Sequence, residues 1–577
     1  MRLCPLSLLS YPYGNRRSDI DILAGMKIRK TLAVTALMIL MCGCEEHEPS
    51  VPAQKPAVEV ATVATKPGAF SRAQLIEDAR QLSNILEDTH PDPYINGGGR
   101  IAFHRRLHQV LNAIPDEGMT KDEFYRLVRP FVAGVGDAHT NLLGGYDVDS
   151  QRPSGIPLRF RVVEQSLVVS GVCDPERQDL LGHRLVSVEG VLVEELVERQ
   201  RQLRGIDNVY HALQNLADQS LRYRPYLLDL VPEWKGTRIV RVELRSPDGN
   251  TKELELSQPA SECRWIAPKS RVELPVPGDS GFLYAFLRAP GSSKEFVYLR
   301  FAHMVGYREA QEGRHPIRTK LARPPSATET FRTMVKEMKK RGTEILVVDV
   351  RDNSGGNSLI VDILVYFLYG KDALRAVHGF GGGESGVFRY SDLFFKDRPD
   401  QSLEKLNAGR RVPLVVGDYE FSWSFAGGEP IAKRAEPPAE PPGFQFLRAS
   451  PTFAPEFESG TDGGYYHPRK VIVLCDAGTL SAGFSVVATF HSLGAILVGT
   501  PSAQAPNSYG AATVFRLTHT GIRGMVPMIA AMHFPHDPAK AHVLPVDYPL
   551  TYERLASYGF DPQAEYLYAI ELMSASR

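Results

Sequence analysis

The chain has 577 residues, of which 43% are hydrophobic and 23% charged, and its formal net charge is -1. That is a globular composition with length for several domains, and the near-zero charge excludes a partner held by a broad basic field, nucleic acid above all. The basic run Lys339-Lys340-Arg341 closes a predicted helix, where cations favour the helix dipole and are usually solvated.

From Met26 the sequence has the form of an export signal. Lys27, Arg29 and Lys30 precede an apolar run from Leu32 to Met41, too short for a comfortable membrane span, and Gly43-Cys44 follows. Small residues before a cysteine resemble a lipoprotein cleavage site, which makes Cys44 the expected acylated first residue and a lipid the expected membrane anchor. Residues 1–25 carry no signal pattern of their own, so Met26 is the expected start. Residues 1–44 are thus a signal region, and 45–70 a polar, proline-containing tether.

Residues 71–150 read as a helical domain. Ser71 with Gln74 and Thr120 with Glu123 are capping boxes, and Phe124, Leu127, Val128, Phe131 and Val132 recur at helical spacing. The domain runs into Gly134-Val-Gly-Asp-Ala-His-Thr140. Residues 151–265 change to strand patterns at 158–162, 167–170, 184–190 and 238–244, with helical spacing around 193–230.

Residues 266–577 read as an α/β core. Tyr298–Phe301 is a strand, Ser326 with Glu329 caps a helix that ends at Gly342, and Ile345–Val350 is the continuous apolar run of a strand covered on both faces. A turn, Arg351-Asp-Asn-Ser-Gly-Gly-Asn357, follows. The same grammar returns as strand Val471–Leu474, turn Asp476–Thr479, a helix from Ser481 and strand Ala495–Val498. The Gly- and Pro-rich stretch 370–465 separates the two units as a long insertion.

The cysteines at 173, 263 and 475 show no CxxC spacing, which argues against a zinc site and against a disulfide framework. Cys173 and Cys263 can pair in an oxidising compartment, leaving Cys475 over. His533, His536 and His542 have Pro535 and Pro538 among them and no helical spacing, so they read as loop rather than metal site.

Ser481 stands between a buried strand and the first turn of a helix, where unpaired amides and the dipole favour developing negative charge. The Ala482 amide can serve a tetrahedral oxyanion, and Gly355 or Gly356 can offer a second amide from the neighbouring strand end. Alone, Ser481 would be an N-cap and Gly355-Gly356 a turn; at equivalent strand ends they suggest a site.

Val348-Asp-Val-Arg-Asp-Asn-Ser-Gly-Gly356 resembles the "D-x-R-x-N-x-G-G" motif of the tail-specific (C-terminal processing) serine peptidase superfamily. Thr479-Leu-Ser-Ala-Gly-Phe484 is similar to its "S-A-x-E" nucleophile motif, and Gly499-Thr-Pro-Ser502 to its "G-E-x-T". The resemblance implies a crotonase-like (ClpP-like) layered α/β core, Ser481 as nucleophile, no metal or other cofactor, and a peptide or protein substrate. Gly182-His-Arg-Leu-Val-Ser-Val-Glu-Gly190 resembles a stretch of PDZ domains, which implies a degenerate PDZ-like β module over 151–265.

The processing peptidases use a lysine base about two dozen residues after the serine. Ala505 matches that position, and no lysine occurs between Ser481 and Lys540. Gly136-Asp-Ala-His-Thr140 resembles the base-histidine segment of the tricorn-core branch, which also lacks the lysine, as does the interphotoreceptor retinoid-binding branch. His139 is therefore the expected base, its ordinary pKa near 6.5 suiting it to take the serine proton. A structural histidine is the competing reading. The tricorn branch has a serine where Ala138 stands and a downstream glutamate, yet no glutamate lies between Glu458 and Glu553. Asp547, Asp537 and Asp137 remain as acidic partners, Asp547 the first candidate although it also fits a structural motif closing the fold, and Asp137 fits a turn cap. The expected activity is an exported, membrane-tethered serine endopeptidase. The alternative is a catalytically weakened peptide- or lipophile-binding relative. The sequence leaves oligomeric state open.

Overall fold

The computed structural model describes residues 68–146, 154–258, 263–278, 281–289, 294–312, 324–379, 385–398, 401–421, 447–448, 450–459, 465–534 and 537–575. The predicted signal region with Met26 and Cys44, nearly all of the tether, and His536 lie outside them. In chain order the strands are β1 (Asn141–Leu143), β2 (Leu158–Val163), β3 (Ser166–Val172), β4 (Arg184–Val188), β5 (Val191–Leu192), β6 (Ile239–Arg245) and β7 (Thr251–Ser257). Then come β8 (Phe282–Arg288), β9 (Glu295–Phe301), β10 (Ile345–Asp349), β11 (Ser385–Arg389) and β12 (Tyr419–Phe421). The last are β13 (Lys470–Cys475), β14 (Ile496–Gly499), β15 (Asn507–Arg516), β16 (Arg523–Met532) and β17 (Tyr548–Pro549).

The fold is mixed α/β, and its centre is the sheet β17-β14-β13-β10-β9-β8, parallel except for the edge strand β8. β10 explains its own sequence. Leu346 and Val348 pack among the helices Ala327–Arg341, Leu359–Gly379 and Ala482–Ser492, while Val347 packs on the other face against Tyr566 and Ala569 of helix Ala564–Ala575. Alternate side chains bury in different cores, so a period-two pattern is replaced by an unbroken apolar run.

Residues 158–257 form a second sheet, β2-β3-β4-β6-β7, with β5 on β4, and helices Val193–Leu203, Val209–Asn215 and Arg224–Leu230 between β5 and β6. Cys173 and Cys263 are joined beside it, with Cα atoms 5.3 Å apart, and the adjacent Val172 and Ile266 exchange backbone hydrogen bonds. The odd cysteine left over counted against this pairing in the sequence, yet the fold brings positions 90 residues apart together. Cys475 is free and buried.

The helical region does not stand apart. β16 pairs with β15 on one edge and with both β1 and β11 on the other. Phe515, Leu517, Ile522 and Val526 of this C-terminal hairpin complete the core of helices Arg72–Thr89, Gly99–Ala113 and Lys121–Ala133. The predicted insertion is likewise built in: helix Leu359–Gly379 continues past residue 370, breaking at Gly370, and β11 and β12 extend the sheet of β16.

Both N-terminal capping boxes form with reciprocal bonds. The third is altered. Ser326 accepts the Glu329 amide, but the Glu329 carboxylate goes to Arg308, and Glu309 accepts from the Ser326 hydroxyl and the Ala327 and Thr328 amides. A carboxylate seventeen residues upstream instead serves the next two amides of the first turn, which are buried and need an acceptor.

The carboxyl end of β10 rests on a buried ionic network. Asp349 accepts from Tyr298 (2.7 Å), Arg300 (2.7 Å) and Arg351 (2.6 Å), and Arg351 also reaches Glu565 (3.0 Å) and Gln563 (2.8 Å). Burial opposes the charge of Asp349, yet Arg351 and Arg300 hold its carboxyl well below the usual carboxylate range. A depressed carboxyl contributes stability above its unfolded pKa and loses it as pH falls. Asp349→Asn is therefore expected to lower unfolding free energy at neutral pH by about 3–5 kcal/mol, as when one partner of a buried pair is removed. Urea unfolding at about pH 7 and about pH 2.5 checks this, the difference between the two proteins narrowing only as pH falls below the unfolded carboxyl value of about 3.9.

Candidate active site

The parallel register Val348↔Val473 and Asp349↔Leu474 carries β10 and β13 out of the sheet side by side. Their turns are stitched together. The Thr479 hydroxyl donates to the Val350 carbonyl (2.9 Å), the Leu480 amide to the Asn353 carbonyl (2.9 Å), and the Asp352 amide to the Asp476 carboxylate (2.9 Å). Between them no side chain fits at position 355: Gly355 has φ +107, and a Cβ there would lie 2.6 Å from the Ser481 Cβ and 2.9 Å from the Ala482 nitrogen. Gly356 is equally constrained by the Met304 backbone.

Ser481 sits at φ 55, ψ -127, a conformation that costs a non-glycine residue about 1–3 kcal/mol. Its hydroxyl makes no capping bond, so the N-cap reading does not apply. The Ser481 amide instead donates to Gln504 Oε1 at 2.6 Å, and Ser481 Oγ stands 3.4 Å from His139 Nε2. Residues 342 apart in sequence are thus in contact, in the geometry of a serine and its base before a substrate tightens it.

The two glycine amides differ. That of Gly355 donates to Asn353 Oδ1 at 2.8 Å. The amides of Gly356 and Ala482 meet no acceptor among the described residues, which leaves these two for an oxyanion.

The loop of His139 is fixed by its backbone. Asp137 Oδ1 accepts the His139 amide (2.7 Å) and the Thr140 amide (2.9 Å), and Asn141 Nδ2 donates to the Ala138 carbonyl (2.7 Å). Asp137 Oδ2 faces His90 Nε2 at 3.1 Å, and His90 Nδ1 accepts the Asp92 amide, so the proton of His90 lies on the nitrogen facing Asp137. Burial works against the charge of Asp137, but the His90 bond holds its carboxyl below the usual range. Burial also lowers the pKa of His139, with the charge of Asp137 opposing. His139 Nδ1 is buried and meets no partner among the described residues.

No acidic side chain therefore bonds to the His139 ring among the described residues. Asp547, the first acidic candidate, binds the Leu497 amide at 2.8 Å, near the start of β14 and at the opposite end of the sheet from Ser481. There it lines a shallow pocket of about 530 Å³ with His491, Gly494, Ala495, Ile496 and Tyr548. Asp537 caps the Ala539 amide and pairs with Lys540. Asp137 acts as the turn cap. The sequence pattern singled out neither Gln504 nor His90, although Gln504 adjoins Ala505, the position compared with the family lysine, and it held Asn353 only as part of the turn motif.

Residues 298–522 match the model of peptidase family S41, a stretch that holds both strand ends, both glycines and Ser481. These residues belong to peptidase family S41. No curated protein matches the chain. Among solved structures, mature CPAF is similar at 12% identity over 88% of this chain and 99% of that one, with a TM-score of 0.50. The photosystem II D1 C-terminal processing protease is similar at 14% identity over 84% of this chain and 95% of that one, with a TM-score of 0.37. His139 lies outside the S41 match, in the helical region.

Two outcomes follow from this geometry. Gly355→Ala forces a Cβ against Ser481 in a backbone conformation alanine resists, and should slow reaction of Ser481 with a fluorophosphonate by about a hundredfold or more; labelling kinetics on protein with a native melting transition check it. Protonation of His139 removes the base, and burial lowers its pKa. The acidic limb of the labelling rate should therefore lie below the ordinary histidine value of about 6.5, activity being lost as pH falls through it.

Proposed function

We propose that the protein is a serine endopeptidase that cuts peptides or proteins through an acyl-enzyme, with Ser481 as nucleophile and His139 as general base. The observation that carries this reading is the 3.4 Å approach of Ser481 Oγ to His139 Nε2 at a strained strand-to-helix turn within an S41 core. Ser481 attacks the scissile carbonyl and His139 takes its proton. The Ala482 and Gly356 amides hold the oxyanion, and the imidazolium returns the proton to the leaving amine. We read the layering of the core as crotonase-like, and residues 151–265 as a degenerate PDZ-like module, on the resemblances of their sequences.

A second reading has its own observation. His139 Nδ1 meets no partner among the described residues, so none of their carboxylates supports the imidazolium, which favours a weakened, peptide- or lipophile-binding relative. Labelling separates the two. The enzyme reading expects fluorophosphonate on Ser481, located by mass spectrometry, its loss in Ser481→Ala, and a fall of about a hundredfold to ten-thousandfold in His139→Ala. Folded wild-type protein that resists the probe would establish the binding reading instead.

We also propose that the chain is exported and tethered by acylated Cys44, on the basic and apolar pattern that begins at Met26. Expression in a bacterium should give a diacylglycerol-modified N-terminal cysteine in the membrane fraction, and Cys44→Ser should abolish it. A mature protein that retains Met26 contradicts the tether.

A further inference from the structure

The base and the nucleophile come from regions that the middle sheet separates in sequence, and a short segment of that middle region lies between their loops. Gly205–Asn208 connects helix Val193–Leu203 to helix Val209–Asn215. The Gly205 amide faces Asn141 Oδ1 at 3.3 Å, and a Cβ at 205 would collide with the Asp137 carbonyl, so the segment lies flat on the base loop. Asn208 Nδ2 donates to the carbonyls of Ser502 (3.1 Å) and His542 (3.2 Å) on the opposite side.

Asp207 joins the two. Its Oδ1 accepts the amide of Ala138, the residue before His139, at 2.7 Å. Its Oδ2 accepts the amide of Ala505 at 3.1 Å and the hydroxyl of Ser508 at 2.7 Å. Ala505 follows Gln504, whose side chain holds the Ser481 amide at 2.6 Å. One carboxylate thus ties the residue beside the base to the residue beside the nucleophile's anchor.

We infer that Asp207 is a positioning residue of the active site: its two oxygens clamp the His139 loop to the Gln504 loop and so set the separation of base and nucleophile. The inference rests on the reading of Ser481 and His139 as nucleophile and base. It also gives the middle region a part in catalysis that contributes no reacting group. A carboxylate is required because two loop amides, one on each side, need acceptors, and an asparagine has a single acceptor atom. Burial, then the negative charge of Asp137, pushes the Asp207 carboxyl up to about 7, as expected for an acidic group placed by geometry rather than by a cationic partner.

The test uses the full chain and a fluorophosphonate probe, separating kinact from KI. Asp207→Asn keeps the size of the side chain but can hold only one loop, so kinact should fall by about tenfold to a hundredfold while KI and the melting transition hold. In a His139→Ala background the same substitution should add nothing further, because the clamp acts through the base. Ser508→Ala, which leaves both loop amides bound, should leave kinact unchanged. Asp207→Asn with wild-type kinact, a fall equally large in both backgrounds, or a loss of folding overturns the positioning role. His139→Ala that labels like wild type overturns the base reading itself, and is distinguished by that single variant.

Discussion

The constraint on which the site depends is steric: a Cβ at position 355 would lie 2.6 Å from the Cβ of Ser481. Adjacent parallel strands in register must leave the sheet together, and their turns then compete for one volume. The absence of a side chain at 355 resolves the competition, and the positive φ of Ser481 fits the serine into what is left. Strain of this kind persists only where surroundings over-determine it. Here Asn353, Thr479 and Gln504 do so, each bonding backbone of one turn or of Ser481 itself. The same two turns carry the Ala482 and Gly356 amides, which meet no acceptor among the described residues. In the proposed reading, oxyanion donors and nucleophile therefore sit on turns shaped by one packing constraint.

What the sequence made legible follows from how local each signal is. The apolar runs of β10 and β13, the boxes at Ser71 and Thr120, and the pairing of the Gly355-Gly356 turn with Ser481 are written within a few residues and were read from them. His139 was legible through resemblance alone, since a single histidine in a loop has no periodicity. The contributions of Gln504, His90 and Asp207 were hidden for the same reason: Gln504 and Asp207 bond backbone amides, and His90 the Asp137 carboxylate, away in sequence. Glu309 serves the first-turn amides after Ser326 because burial, which no local pattern records, decided that those amides needed a carboxylate. Asp547 has the right residue type but, at the amino edge of β14, stands at the wrong end of its sheet.

The electrostatics of the base differ from a full triad in one respect. Asp137 is close to His139 and depressed in pKa, yet its oxygens are spent on two amides and on His90. His139 gains field from it but no bond at Nδ1. In a triad that bond fixes the tautomer and supports the imidazolium, and substitutions that disturb it cost about ten-thousandfold in turnover. Orientation is supplied here through the peptide groups on either side of the ring, held by Asp137, Asn141 and Asp207. Backbone anchoring can aim the ring, but it cannot neutralise the charge that develops on it.

That division of labour bears on how a site without lysine or acid can still work. A lysine base must be desolvated to lose a proton near neutrality, a shift of several units from about 10.4. A histidine needs no such shift, and burial moves His139 further toward its neutral, proton-accepting form. The same burial makes the proton harder to accept in the transition state, because the imidazolium is then an unsupported charge in a poorly solvated site. The ground state is poised while the charged state is penalised. On the proposed reading, a site built this way keeps its histidine neutral at physiological pH but stabilises the developing imidazolium less than a complete triad does. A substrate group or solvent molecule that reaches Nδ1 when the site is occupied would remove the penalty, so the features that favour catalysis and those that favour a weakened relative belong to one histidine, and occupancy of Nδ1 decides between them.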